Sequence, residues 1–324
     1  KNSWVPPFDS LLRNGPLPPG SVEEGERGNL AVMARRLLPL LVVVLLAAAC
    51  DAATEPTTTS TQPPTTTSTS TTTAPTTTEP LPACLAGEPD FIDDGVVAAL
   101  GREAGDATVL TGVNIEPDNG CERVTFEFAT ADGAPASSLG RIDVRMRRDI
   151  GVVRISLPDE VTTAAVTDGL LETDLVDAYY VVRDADRTLY VDLHLAEGVA
   201  ARAEFADAPV QLVVDLRPGD LPLASQPTRG FLAVVLEPAP GPAAYPLRVT
   251  GYARPFEASL VWRLYQEEQV VDEGFTMTTD YIEAWGAFEF EIPSGPSGLV
   301  GLFAGDYDQA RGGVRGVRVT LEIP

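Results

Sequence analysis

From residue 108 onward, apolar and polar residues alternate with a period of two, and short turns rich in Gly, Pro and Asp interrupt the alternation. This period places the apolar side chains on one face of a half-buried strand. Asp-Ala-Asp at 184–186 adds a hairpin turn by composition. The pattern predicts strands at residues 108–115, 123–129, 141–147, 152–157, 178–183, 188–193, 201–205, 210–216, 231–236, 247–252, 259–265, 269–276, 287–292, 298–303 and 314–323.

One segment has a different spacing. Asp93 and Asp94 precede Val96, Val97 and Leu100, which share one face at helical spacing. Acidic residues favour the first turn of a helix, so residues 90–104 are predicted to form a short helix.

The spacing of the strands defines the expected architecture. A stretch rich in Pro and Gly at 218–229 separates two groups of strands and is interpreted as an inter-domain linker. The second group has seven short strands in about 95 residues, which is typical of an immunoglobulin-like sandwich. The chain is therefore predicted to be mainly β, with two antiparallel β-sandwich-like domains at residues 83–217 and 230–324.

The apolar run at 37–49 stands apart from this pattern. It follows Arg35 and Arg36, ends in three alanines and is followed directly by Cys50. This order resembles a bacterial lipoprotein signal, in which the cysteine is lipidated and becomes the mature N-terminus. The alternative is a transmembrane helix, but thirteen residues rise only about 20 Å, against a hydrocarbon core of roughly 30 Å. We expect a signal peptide at 33–49, a lipid on Cys50 and an over-extended start at residues 1–32.

Residues 50–82 are dominated by Thr, Ser and Pro. They have too few apolar groups to offset the entropy cost of ordering, and they resemble a glycosylated stalk. At about 3 Å per residue, a disordered stalk of this length extends on the order of 100 Å. The predicted location is therefore the outer face of the cytoplasmic membrane or the cell wall.

The net charge and the number of cysteines limit which ligands and crosslinks are expected. The formal net charge is −24, with 47 acidic against 23 basic residues, which disfavours nucleic acid as a partner. Once Cys50 carries the lipid, Cys84 and Cys121 form an even pair in an oxidising compartment, and a disulfide is predicted. Two cysteines without a nearby histidine do not complete a zinc site, so no metal or cofactor is expected.

Candidate catalytic groups are few. His194 is the only histidine, and strand alternation places it on the outer face with Tyr190 and Asp192, as a surface residue. Glu289 and Glu291 alternate with apolar residues, as expected of a solvated face. Asp306 and Asp308 could bind calcium, although their spacing is not that of an EF-hand. The prediction is a protein without catalytic activity.

Aromatic residues and one arginine supply candidate ligand contacts. Trp262 is in step with Leu260 and Leu264, which favours a position in the core. Arg254, Tyr281 and Trp285 lie in predicted loops. They are candidate binding residues because a guanidinium matches carboxylates and aromatic faces match sugar rings. The alternative is that Arg254 pairs with Glu257 and that both aromatics pack on the sandwich.

Two family resemblances extend this interpretation. Gly251-Tyr-Ala-Arg-Pro-Phe-Glu, with Gly286-Ala-Phe-Glu-Phe and Gly316-Val-Arg-Val, resembles the immunoglobulin-like domain of bacterial spore germination proteins called Gmad2. Cys121-Glu-Arg-Val-Thr-Phe-Glu-Phe and Val210-Gln-Leu-Val-Val-Asp-Leu resemble the AMIN-like domain of actinobacterial envelope lipoproteins. The first resemblance implies a binding or spacer module, and the second implies localisation on peptidoglycan.

These observations lead to one expectation and one rival. The expected protein is a lipid-anchored, non-catalytic envelope component that presents two β domains to peptidoglycan or to another envelope protein. The rival is an extracytoplasmic cell-wall hydrolase whose carboxylates come together only in the fold. Two carboxyl groups about 5 to 10 Å apart in a pocket would favour the rival.

Overall fold

The computed structural model of the chain describes residues 83–87, 90–163, 166–207, 209–308 and 313–324. These residues form twenty strands and two short 3-10 turns and contain no α-helix. The prediction of a mainly β fold is confirmed, and each predicted strand overlaps an observed one. All the described residues belong to one compact unit.

The first half of this unit contains eleven strands. The strands are β1 (Gly95–Leu100), β2 (Val109–Asp118), β3 (Cys121–Ala129), β4 (Ile142–Arg147), β5 (Val152–Ser156), β6 (Thr162–Thr163), β7 (Asp168–Leu170), β8 (Val176–Arg183), β9 (Leu189–Leu195), β10 (Val199–Ala206) and β11 (Gln211–Pro218). Eight of them overlap predicted strands, and β1, β6 and β7 were not predicted.

The second half contributes the remaining nine strands. Two of these have only two residues each and were not predicted. The strands are β12 (Thr228–Arg229), β13 (Ala233–Glu237), β14 (Gly241–Pro242), β15 (Leu247–Ala253), β16 (Ser259–Gln266), β17 (Gln269–Met277), β18 (Trp285–Ile292), β19 (Gly298–Asp308) and β20 (Gly313–Ile323).

Each half is a sandwich of two sheets. In the first half, the sheet β10-β11-β3-β2-β6 packs on the strands β1-β4-β5-β9-β8. In the second half, the sheet β14-β20-β19-β16-β17 packs on β18-β15-β13-β12. Alternate side chains of both sheets fill each core, as in other sandwiches. Trp262 was predicted in the core; it is partly buried, packs against the second core and stacks on Phe290 with ring centroids 5.7 Å apart.

The two sandwiches share a sheet. β8 of the first pairs in parallel with β18 of the second, through Val182 with Trp285 and Arg183 with Gly286. This pairing joins the inner strands into one ten-stranded sheet. The faces of this sheet that point away from the two sandwich cores pack on each other and form a third apolar cluster. The relative position of the halves is thus fixed by backbone hydrogen bonds and by burial.

The predicted helix at 90–104 is wrong, because this segment contains β1, which pairs antiparallel with β4. Val96 and Val97 are β-branched, and such side chains fit a strand better than a helix. A bulge between Val96 and Ala98 shifts the register, so the apolar spacing imitates a helical one.

The predicted linker at 218–229 is ordered against the first sandwich. Arg148 donates two hydrogen bonds to the carbonyl oxygen of Pro222, at 3.2 and 2.6 Å. The amide of Gln226 donates to the carbonyls of Leu195 and Ala196 at 3.2 and 2.8 Å. These contacts hold the crossing segment in place at the C-terminal end of β9.

Candidate functional site: a cleft between the two sandwiches

A cleft lies between the two sandwiches, where the sheet faces that point away from the two cores approach each other. Its volume is about 500 Å³. β4, β5, β9 and the β8–β9 hairpin form one wall, and β13, β15 and β18 form the other. The lining carries three arginines and three carboxylates: Arg147, Arg154, Arg248, Asp184, Glu237 and Glu289.

The third apolar cluster lies beside this cleft and is rich in aromatic rings. The Tyr180 ring lies 4.8 Å from His194, 5.3 Å from Tyr252 and 4.8 Å from Trp285, between centroids. The last contact is edge to face, an arrangement that aromatic pairs prefer. Because the four rings come from β8, β9, β15 and β18, the cluster fastens the two sandwiches to each other.

His194 belongs to this cluster and is only 1 % exposed. The predicted face is correct, since His194 shares it with Tyr190 and Asp192, but the predicted surface position is wrong. The second sandwich covers that face. Burial lowers the pKa of His194 to about 3, with smaller contributions from Arg229 and Arg154. The ring is therefore neutral, and its Nε2 is hydrogen-bonded to the Tyr252 hydroxyl.

Arg154 and Asp192 form the most buried ion pair of the cleft. Nε and Nη2 of Arg154 donate to the two oxygens of Asp192, at 2.8 and 2.7 Å, and Asp192 is fully buried. Burial lowers the pKa of Arg154, but the charge and hydrogen bonds of Asp192 outweigh this and raise it overall. The guanidinium also lies 4.1 Å above the centre of the Tyr190 ring. Arg154 is thus a fixed cation in the cleft wall.

Two further arginines are held in the same way nearer to solvent. Arg147 donates Nε and Nη2 to Asp149 at 2.9 and 2.7 Å. Arg248 donates Nε and Nη2 to Glu289 at 2.8 and 3.0 Å. Hydrogen bonds from Arg248 lower the pKa of Glu289. Glu289 is therefore kept ionised, which is the opposite of what a general acid requires.

A polar cluster closes the junction of the halves. Arg183 donates to Asp280 at 2.8 Å and to Glu283 at 3.0 Å. The hydroxyl of Thr279 donates to the Arg183 carbonyl at 2.5 Å. Each contact links β8 of the first sandwich to the loop before β18 of the second.

The three predicted ligand residues have different environments. Trp285 is 4 % exposed, and its Nε1 donates to Asp168 at 3.0 Å, so the expectation of an exposed ring is wrong. Arg254 donates to the backbone carbonyls of Tyr281 and Ile282, at 3.3 and 2.5 Å, and so fixes the loop. Tyr281 is 37 % exposed. A binding role for Arg254 and Tyr281 stays a prediction.

The predicted cysteine pair is confirmed. Cys84 and Cys121 form a disulfide that ties the segment before β1 to the start of β3. Arg202 reinforces this segment by donating to the carbonyls of Ala86 and Gly87, at 2.7 and 3.1 Å. Cys50 and the predicted stalk lie outside the described residues.

The described residues contain neither a metal-binding cluster nor a helix that could span a membrane. No group of three or more His, Cys, Asp or Glu side chains suited to a metal occurs in the described part of the chain. Asp306 instead pairs with Arg315 at 3.6 Å and accepts the backbone N–H of Phe256 at 3.3 Å. Among the described residues, no helix has the length and apolar character needed to span a membrane.

The residues that the sequence interpretation missed are those of the cleft. A signal was present in β13, where residues 232–236 are continuously apolar, a pattern typical of strands buried on both faces. Tyr180, Tyr190 and Tyr252 on outward faces are a second signal, because tyrosine can be buried while its hydroxyl bonds a partner.

Comparison with known proteins supports the prediction for the second sandwich. No match is found among curated proteins or among solved structures. The AMIN-like resemblance of residues 83–217 stays a prediction. Residues 232–309, from the start of β13 to the end of β19, match the family model of Gmad2, the immunoglobulin-like domain of bacterial spore germination, which confirms the resemblance of the second sandwich.

Proposed function

We propose that this chain is a non-catalytic, lipid-anchored envelope protein whose two sandwiches bind peptidoglycan or another envelope protein as one body. The observation that carries the proposal is the preformed cleft between them, walled by arginines that are already fixed by carboxylates. A site built from fixed side chains loses little entropy on binding, which favours affinity.

The environment of the charged groups supports binding rather than hydrolysis. The histidine is buried and neutral, and Glu289 is held ionised by Arg248. Glu237 accepts a hydrogen bond from Thr250 at 3.1 Å. Retaining and inverting glycosidases require a carboxylic acid that stays protonated beside an ionised partner. The described cleft carboxylates have structural partners instead.

The anchor is supported by the order of Arg35, Arg36, the apolar run and Cys50. Its test is the Cys50→Ala chain expressed in a bacterial host. Two or more acyl chains give stable attachment, so their loss should release the protein from the membrane fraction or leave it unprocessed. Cys84→Ala, made in parallel, should leave the membrane fraction unchanged. Unchanged detergent-phase partitioning of Cys50→Ala would refute the anchor.

The binding role is tested by co-sedimentation of the purified full chain with purified peptidoglycan. The expected result is saturable retention that decreases with added salt, because the cleft is charged. Retention equal to that of an unrelated acidic protein would refute peptidoglycan as the ligand.

A further inference from the structure

We propose that the cleft binds a short peptide with free carboxylates and a free amine, as in the peptide stems of peptidoglycan, rather than the glycan strand. This inference rests on the proposed function and specifies its ligand. The geometry of the three arginines, the Tyr190 hydroxyl and the opposing carboxylates points to it.

The arginines retain unused donors. In Arg147, Arg154 and Arg248, the hydrogen bonds to Asp149, Asp192 and Glu289 engage Nε and Nη2 only. Nη1 of each has no hydrogen-bond partner among the described residues. A guanidinium held along one edge presents its other edge in a fixed direction, which suits a carboxylate.

Tyr190 supplies a second, independent observation. Its side chain is 6 % exposed and lines the cleft, yet its hydroxyl has no hydrogen-bond partner in the described part of the chain. Tyr190 Oη is not one of the buried unpaired atoms of the described residues, so this hydroxyl is open to the cleft and free to bond a ligand. A ligand oxygen beside Arg154 would complete the bonding of this hydroxyl.

Two carboxylates of the cleft favour a ligand that carries an amine. Asp184 accepts the backbone N–H of Ala185 at 2.7 Å through Oδ1, and Glu237 accepts Thr250 through Oε2. The second oxygen of each carboxylate is left without a hydrogen bond to the described residues. A ligand with carboxylates alone would be repelled by these groups, whereas one that also carries an ammonium group would pair with them.

The cleft is poorly suited to a sugar. Sugars stack on open aromatic faces, but the Tyr190 ring is covered by the Arg154 guanidinium. The volume of about 500 Å³ lies within the range of roughly 300–1,000 Å³ of small-ligand sites. A peptide of a few residues fits this volume, and a glycan strand does not use the fixed charges.

The test is a calorimetric titration of the full chain with soluble stem tetrapeptide, L-Ala-γ-D-Glu-meso-diaminopimelyl-D-Ala, at low salt. Versions with amidated carboxyl groups or acetylated amines are titrated in parallel, as is L-trialanine. Tyr190→Phe removes only the unpaired hydroxyl, and Arg147→Gln removes one exposed guanidinium, so both variants should fold. Arg102→Gln is the matched control, since Arg102 is exposed and does not line the cleft.

The free tetrapeptide should bind, and each blocked version should bind about tenfold more weakly or not at all. Tyr190→Phe and Arg147→Gln should each weaken binding about tenfold, while Arg102→Gln should not. Absence of tetrapeptide binding would overturn the inference even if intact peptidoglycan is retained, in which case the proposed function stands. The inference would also be overturned if blocked and free peptides bound with equal affinity or if L-trialanine bound as tightly as the tetrapeptide. Unchanged affinity in both cleft variants would overturn it as well.

Discussion

The buried histidine gives the sharpest test of how the two sandwiches fit together. Its pKa falls from an ordinary value of 6.5 to about 3 because the second sandwich removes it from water. The folded state therefore binds fewer protons than the unfolded state below about pH 6.5. The contribution of His194 to stability is fully present above this pH and decreases as the pH falls towards 3.

The size of the effect follows from proton linkage. Well below pH 6.5 each pH unit is worth about 1.36 kcal/mol, and at pH 6.5 the slope is half of this. The free energy of unfolding should therefore fall by about 2.3 kcal/mol between pH 6.5 and about pH 4.5. Carboxylates with lowered pKa, such as Asp106 at about 2, add their own acid dependence. A difference between variants isolates the histidine, because these other contributions cancel.

The assay is denaturant unfolding at several pH values for the parent, His194→Gln and Tyr252→Phe. We expect His194→Gln to be less stable at neutral pH and to lose this part of the acid dependence. Tyr252→Phe removes the hydrogen-bond partner of Nε2, so it should lower stability by about 1–3 kcal/mol. It keeps the histidine, so its acid dependence should resemble that of the parent.

A direct measurement is available because the chain has a single histidine. Its ring signals in an NMR titration of the folded protein should not shift between about pH 8 and about pH 4.5. A ring that titrates near 6.5, or parent and His194→Gln chains with the same acid dependence, would refute the burial of this face.

Two further variants test how the fold is held together. Arg183→Ala should destabilise the fold by about 3 kcal/mol in denaturant unfolding, because it leaves Asp280 without its partner at the junction; an effect as small as that of the exposed Arg145→Ala would contradict this reasoning. Replacing Cys84 and Cys121 by alanine should cost about 4 kcal/mol, for a crosslink across 37 residues. Because the halves share a sheet and a core, we expect calorimetry of that double variant to show one earlier transition, and two separate transitions would argue against a shared unit.

The strands were predictable because the alternation of core-facing and outward-facing residues can be recognised within each short segment of sequence. β15 shows this: Leu247, Val249 and Ala253 point into the second core and lie at alternate positions of the strand. The third cluster was not predictable in the same way. Tyr190, Asp192 and His194 have the composition of a solvated face, and only the pairing of β8 with β18, distant in sequence, covers them. A period of two identifies which side chains share a face but not what that face contacts.

The cleft could not be predicted for the same reason, because it forms only when the two sandwiches pack against each other. Arg147 and Arg154 come from one sandwich and Arg248 from the other, at positions where an exposed charge is ordinary. The hairpin at 184–186 was correctly predicted, but its position at the mouth of a cleft follows only from the second sandwich. The helix error at β1 has a different cause, since the bulge there breaks the strand period locally.

The third apolar cluster also constrains how such a chain can arise by domain shuffling. In the second sandwich, Val234, Leu236, Tyr252 and Trp285 form a face that is buried only because the first sandwich covers it. A related immunoglobulin-like domain fused to a different neighbour, or to none, would expose these four positions to solvent. Such a domain should therefore carry polar residues there, and apolar or aromatic residues at all four would indicate a neighbour docked in the same way. These four positions thus form a signature, readable from sequence alone, that separates fused pairs of sandwiches from independently mobile ones.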